Sequence, residues 1–116
     1  MSAAQLAVFL QALALVESGG NPRAVGSAGE RGAFQLTPAV AASAGGYCAR
    51  AAEREVRRIE AALTRMGVDP LPFNVYLAYN AGLGAVRRGD APVVTYQRAQ
   101  RLCNVMAALQ QEAGKR

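Results

Sequence analysis

Glu17 falls where a leucine would be expected. Leu6, Leu10, Leu13 and Glu17 recur at helical spacing, so a helix over 3–17 carries all four on one stripe and ends that stripe in a carboxyl group. A carboxyl aimed at apolar neighbours is penalised when charged, and the negative end of the helix dipole pushes in the same direction. Both effects favour a retained proton near neutral pH, the state that a general acid needs. The plainer reading is a solvated glutamate at a frayed helix end. Asn80 repeats the pattern: Phe73, Tyr76, Leu77 and Asn80 share a second stripe, and glycines follow it as they follow Glu17. Two apolar faces that each end in a polar group beside permissive backbone suit two walls of one cleft.

The rest of the composition narrows the chemistry. The 116 residues include no histidine, which excludes Ser-His triads, imidazole bases and the usual zinc sites. Reaction chemistry then falls to carboxyls, hydroxyls, amides or two cysteines. Cys103 shares a face with Ala99, Leu102, Met106 and Leu109 and reads as a buried thiol. A Cys48–Cys103 disulfide is open to an oxidising compartment only. The net charge of +5 and pI of about 9.9 suit an anionic partner: nucleic acid, a membrane surface or an acidic bacterial wall. Arg50, Arg54, Arg57, Arg58 and Arg65 are interleaved with Glu53, Glu55 and Glu60, the pattern of a solvated helix face rather than a nucleic-acid stripe.

The elements that must position Glu17 and Asn80 are helices, because alternating strand patterns are almost absent and alanine is abundant. The chain length fits one domain over 1–116, of all-α class. The 3–17 helix is apolar on several sides, Phe9, Leu15 and Val16 included, which predicts a central buried helix. "SGGNP" stops it, and a Gly-, Ser- and Ala-rich loop over 21–31 follows. Thr37-Pro38 starts a short helix that ends by Gly45-Gly46. An amphipathic helix over 48–66 turns Val56, Ile59, Leu63 and Met66 inward. Pro72 opens the Asn80 helix, "AGLG" breaks it, a short segment holds Val86, and a last helix covers 95–113. The apolar run over 6–16 lacks a basic flank and reads as a core helix rather than a signal peptide, and no run is long enough to span a bilayer.

"ESGGNP" (17–22), "GAFQL" (32–36) and "AYNAG" (78–82), in that order, resemble the catalytic domain of the soluble lytic transglycosylases and, more distantly, goose-type lysozymes. The resemblance covers roughly residues 5–110. It implies a compact lysozyme-like helical domain with a glycan-binding cleft. Glu17 would be the acid/base, Ser18 a hydroxyl beside it, Gln35 a substrate-facing amide, Tyr79 the phenol that steadies Glu17, and Asn80 a cleft amide. Gly32 would let the backbone approach a sugar. Each of these except Glu17 also has a purely structural reading: Tyr79 as core, for example, or Gln35 as a tie between loop and helices. Two departures stand out: Phe34 where the family usually has Met, which could narrow or reshape a sugar subsite, and Arg98 where a family Tyr would fall.

Glycoside hydrolysis ordinarily takes two carboxylates, and Glu30 is the loop candidate for a second. The resemblance implies instead that one Glu protonates the oxygen between N-acetylmuramic acid and N-acetylglucosamine, the substrate acetamido group assists, and a 1,6-anhydro ring closes without metal or organic cofactor. The expected partner is the peptidoglycan glycan strand, with no nucleic acid, no membrane span and a monomeric state. The expected place of action is the bacterial wall, in the periplasm or outside the cell. The alternatives are a hydrolytic lysozyme-like enzyme assisted by Glu30, a non-catalytic wall-binding module and, least of all, a small basic nucleic-acid binder.

Overall fold

The computed structural model describes residues 1–115, and six helices carry the fold. The first, α1 (Ala3–Ser18), opens with a capping box: the Ser2 hydroxyl accepts from the Gln5 amide while the Gln5 side chain accepts from Ser2 N–H. It ends at Gly19, whose left-handed φ of 65° lets its N–H reach back to the last carbonyls. α2 (Pro38–Ala44) starts from a Thr37 hydroxyl cap with proline in the first turn and stops at Gly45. α3 (Ala49–Arg65), α4 (Pro72–Ala81), α5 (Leu83–Arg88) and α6 (Val93–Gly114) follow.

The helix order matches the sequence expectation with two shifts. The segment holding Val86 is a helix in its own right, and α6 begins two residues earlier than expected, directly after Pro92. The final proline of the turn is the N-cap residue, so the helix starts as soon as the chain is free of it.

Leu6, Phe9, Ala12 and Leu13 of α1 pack with Val56, Ile59 and Leu63 of α3, Val75 to Ala78 of α4, and Ala99, Leu102 and Met106 of α6. Removing side chains the size of Phe9 and Leu13 from water contributes about 2–3 kcal/mol each. α1 is less central than its composition implies. Ala4, Ala7, Gln11 and Leu15 form a solvent-facing stripe, with Leu15 42% exposed, because α3 and α6 flank the helix without closing around it. A smaller cluster of Leu36, Ala44, Ala51 and Ala52 anchors α2 and the end of the 19–37 loop onto α3.

The arginine-rich face of α3 is solvated as expected, but two of its glutamates are not. Glu55 and Glu60 are buried, each paired with an arginine one turn away: Glu55 with Arg58, which follows it, and Glu60 with Arg57, which precedes it, at 2.8 Å. The arginine side chains lie along them, Glu60 is also paired with the Met1 ammonium, and this pairing makes the burial tolerable. Both cysteines are free, Cys48 exposed before α3 and Cys103 half-buried on α6, so no Cys48–Cys103 bond is formed. No helix among the described residues is long and apolar enough to cross a membrane.

Candidate active site

A cleft of about 540 Å³ opens between the C-terminal end of α1, the 19–37 loop, the end of α4 and the first turns of α6. Its lining includes Glu17, Glu30, Gln35, Tyr79, Asn80 and Arg98. The two stripe-ending polar groups picked out in the sequence, Glu17 and Asn80, do face the same space.

Glu17 is half-buried, and the phenol of Tyr76 donates a 2.7 Å hydrogen bond to its Oε1. Burial is the largest influence on its acidity and holds the carboxyl above its ordinary value. The Tyr76 hydrogen bond and then the Arg98 charge oppose this, while the charge of Glu30 adds a smaller upward push. Tyr76 itself is fully buried, and burial together with the neighbouring Glu17 raises its phenol far above the ordinary range, so it stays a donor. With Oε1 taken by that donor, the second carboxyl oxygen of Glu17 makes no other side-chain hydrogen bond among the described residues.

Tyr76, not Tyr79, therefore steadies Glu17. The Tyr79 phenol instead donates to the Phe34 carbonyl at 2.6 Å, pinning the loop to α4 while the residue contributes to the cleft wall. The only sequence signal for Tyr76 was its place one turn before Asn80 on the same stripe, which fixes its face but not where its hydroxyl points.

Asn80 is exposed at the cleft and fixed from behind. The buried Thr95 hydroxyl donates to its Oδ1 at 2.6 Å, leaving the amide N–H groups for a ligand. Thr95 is the side chain that positions Asn80, and Arg98 follows one turn later on the same face of α6.

The loop residues divide. Gln35 lines the cleft, but its amide nitrogen donates inward to the carbonyls of Ala24 (3.2 Å) and Gly32 (3.0 Å), so only its oxygen is left to face a substrate. It adopts φ 51°, the single left-handed non-glycine residue among those described, at a cost of about 1–3 kcal/mol that the loop's hydrogen bonds must offset. Glu30 also reaches the cleft, and its Oε1 is buried without a partner. The side chains of Glu30 and Gln35 together occupy the space where a Cβ of residue 26 would stand, which explains Gly26 between them.

Three expected substrate contacts lie elsewhere. The Ser18 hydroxyl donates to the carbonyls of Ala33 (2.7 Å) and Ala14 (3.1 Å), tying the loop to the end of α1. Gly32 is buried, φ 85°, with the Tyr47 carbonyl only 3.2 Å from where a Cβ would be. It admits the backbone of Tyr47 rather than a sugar. Phe34 packs against both apolar clusters instead of lining the cleft, because its carbonyl, held by Tyr79, turns the ring inward. Glu55 was read as solvated. It is buried beside Gln35, Thr37 and Tyr79, behind the cleft wall.

With this geometry in hand, comparison with protein families adds one finding: the family model described as the transglycosylase SLT domain matches residues 4–100. Comparison with curated proteins and with solved structures gave no match.

Proposed function

Given that the chain belongs to the transglycosylase SLT domain family, which cleaves peptidoglycan glycan strands, we propose that it breaks the β-1,4 bond between N-acetylmuramic acid and N-acetylglucosamine with Glu17 as its single acid/base. Glu17 donates its proton to the bridging oxygen as the bond breaks. The acetamido oxygen of the muramyl residue supports the developing positive charge at C1. Glu17, now a carboxylate, takes the proton of the same sugar's C6 hydroxyl, whose oxygen closes onto C1 to give a 1,6-anhydro end. The proton returns to Glu17, so the cycle consumes no water.

The observation that supports this most is the pairing of Glu17 with Tyr76 inside the cleft: a carboxyl whose acidity is weakened by burial, yet whose charged form has a fixed donor ready for it. An acid/base must visit both states, and this surrounding accommodates both. Asn80, braced by Thr95, and the oxygen of Gln35 supply polar contacts for sugar hydroxyl and acetamido groups. No metal or organic cofactor enters the reaction. The proposed place of action is the bacterial wall, and the proposed acting state is a monomer.

Glu30 favours one other reading. A carboxylate with a buried, unpartnered oxygen in the same cleft suits a second acid/base that activates water, giving hydrolysis. Mass spectrometry of products from purified peptidoglycan separates the two. Anhydro ends with no added water support the single-carboxyl route, whereas products heavier by one water with reducing ends support Glu30-assisted hydrolysis. Strand binding with no product at any pH would leave a wall-binding module.

A further inference from the structure

Arg98 is the one cation in the cleft lining, and no carboxylate among the described residues lies within ion-pair distance of it. Other arginines near carboxylates are paired: Arg57 with Glu60, Arg58 with Glu55 and Arg88 with Asp90. Arg54 is also occupied, donating to the Ala44 carbonyl. The Arg98 guanidinium makes no ion pair among the described residues, and it lies close enough to Tyr76 and Glu17 for its charge to act on both. Arg98 lies one turn beyond Thr95, whose bond to Asn80 fixes the rotation of α6 at the cleft, so its side chain must project into the same opening. The carboxyl groups that share this space are Glu17, whose acidity burial weakens, and Glu30 on the loop.

A guanidinium exposed at the mouth of a polar cleft is a ready receptor for a carboxylate, which it can take through two parallel hydrogen bonds. The glycan strand carries such groups next to the bond at issue. Each muramyl residue bears a lactyl ether whose carboxyl is free where the stem peptide has been removed, and where the peptide is present it contributes carboxylates of its own. Resting on the reading of the cleft as a glycan-strand site, we infer that Arg98 receives a strand carboxylate beside the scissile bond and thereby makes the cleft select carboxylate-bearing muramyl units over neutral ones. Arg98 is a specificity-determining residue; the acid/base work stays with Glu17.

Binding can be separated from turnover by using the Glu17→Gln chain as the receptor. Titration calorimetry with peptide-free strands and with peptide-bearing strands, each as the free acid and with its carboxyls amidated, gives four dissociation constants. Free-acid strands should bind about fivefold more tightly than their amidated counterparts at low salt. The peptide-free pair reports the lactyl group, and an effect confined to the peptide-bearing pair assigns the carboxylate to the stem. Adding Arg98→Gln should bring the ratio to about one, and Arg98→Lys should keep part of it, since a point charge remains without the fork. Equal binding of acid and amidated strands, or a ratio that survives Arg98→Gln in a folded protein, overturns the inference. Failure of the Glu17→Gln chain to bind any strand overturns it together with the functional reading. Selective binding without turnover by the wild-type protein would defeat the proposed function alone.

Discussion

Two hollows of nearly equal volume, about 540 and about 510 Å³, mark this molecule, and their linings have little in common. The first gathers a carboxyl, an amide, a phenol and a guanidinium from the ends of α1, α4 and α6 and from the 19–37 loop. The second, between the end of α3 and α5, is lined by Ala62, Met66, Val68, Leu83 and Val86, with Arg65 and Arg87 as its polar groups. Size does not separate them. In the cleft Glu17, Asn80 and Gln35 each have a partner that sets their direction: Tyr76 for Glu17, Thr95 for Asn80, the Ala24 and Gly32 carbonyls for Gln35. In the hollow the two arginines make no side-chain hydrogen bond or ion pair among the described residues. Chemistry follows preorganised groups rather than empty space.

The largest effect expected from this contrast is that of Glu17→Gln, which keeps the shape and the Tyr76 contact but has no proton to give. Strand cleavage, followed as release of soluble fragments, should fall about 10³-fold, within the range of 10²–10⁴ typical for a general acid. Retained activity would place the chemistry elsewhere. Tyr76→Phe comes next, with about a tenfold loss in kcat and a shift of the pH profile. Because the Tyr76 donor favours the charged carboxyl, its removal raises Glu17 further, and the alkaline limb, where the proton is lost, moves to higher pH. Tyr79→Phe sharpens the distinction. It releases the Phe34 carbonyl and should cost about 1–2 kcal/mol of stability by thermal or urea unfolding, with the pH limb unmoved. The smallest effect belongs to the hollow: Arg65→Ala with Arg87→Ala should leave cleavage within about twofold of wild type, since surface changes away from a site are nearly neutral.

The same carboxyl leaves a mark on stability. Its folded pKa lies above the unfolded one, so the fold holds the proton more tightly. The stabilisation linked to it is fully present below the ordinary value of 4.5 and is lost as pH rises through the raised folded value. Glu17→Gln removes that loss. The variant should be at least as stable as wild type at neutral pH, with its advantage disappearing on acidification below 4.5. The reverse trend in unfolding experiments would mean that the group is stabilised as a charge.

How far the sequence could be read depended on whether a feature was local. The end of the leucine stripe placed Glu17 at a cleft, and the Phe73–Asn80 stripe placed Asn80 there, because helix period alone decides which residues share a face. Glycine and proline punctuation located α2 and the ends of α1 and α4 to within a residue or two. The loop was not legible in the same way. Its path is set by bonds between residues distant in sequence, Ser18 to Ala33 and Tyr79 to Phe34, and these turn Ser18, Gly32 and Phe34 away from the cleft. Tyr76 was hidden by its own apolar ring, which reads as core until a hydroxyl partner is known. Glu55 and Glu60 were misread because their burial depends on cations lying against them, Arg58 for Glu55 and both Arg57 and the Met1 ammonium for Glu60, contacts that periodicity alone does not distinguish from solvated pairs. Arg98 stood out as a departure from the family pattern, yet its place in the cleft depends on the Thr95–Asn80 bond that fixes α6.

The central claim concerns the proton on one carboxyl, and a ¹³C-detected NMR titration of the Glu17 side chain tests it directly in the free protein. The account predicts a midpoint above 4.5 that rises further in Tyr76→Phe. A midpoint at or below 4.5, indifferent to the loss of the Tyr76 hydroxyl, would contradict it.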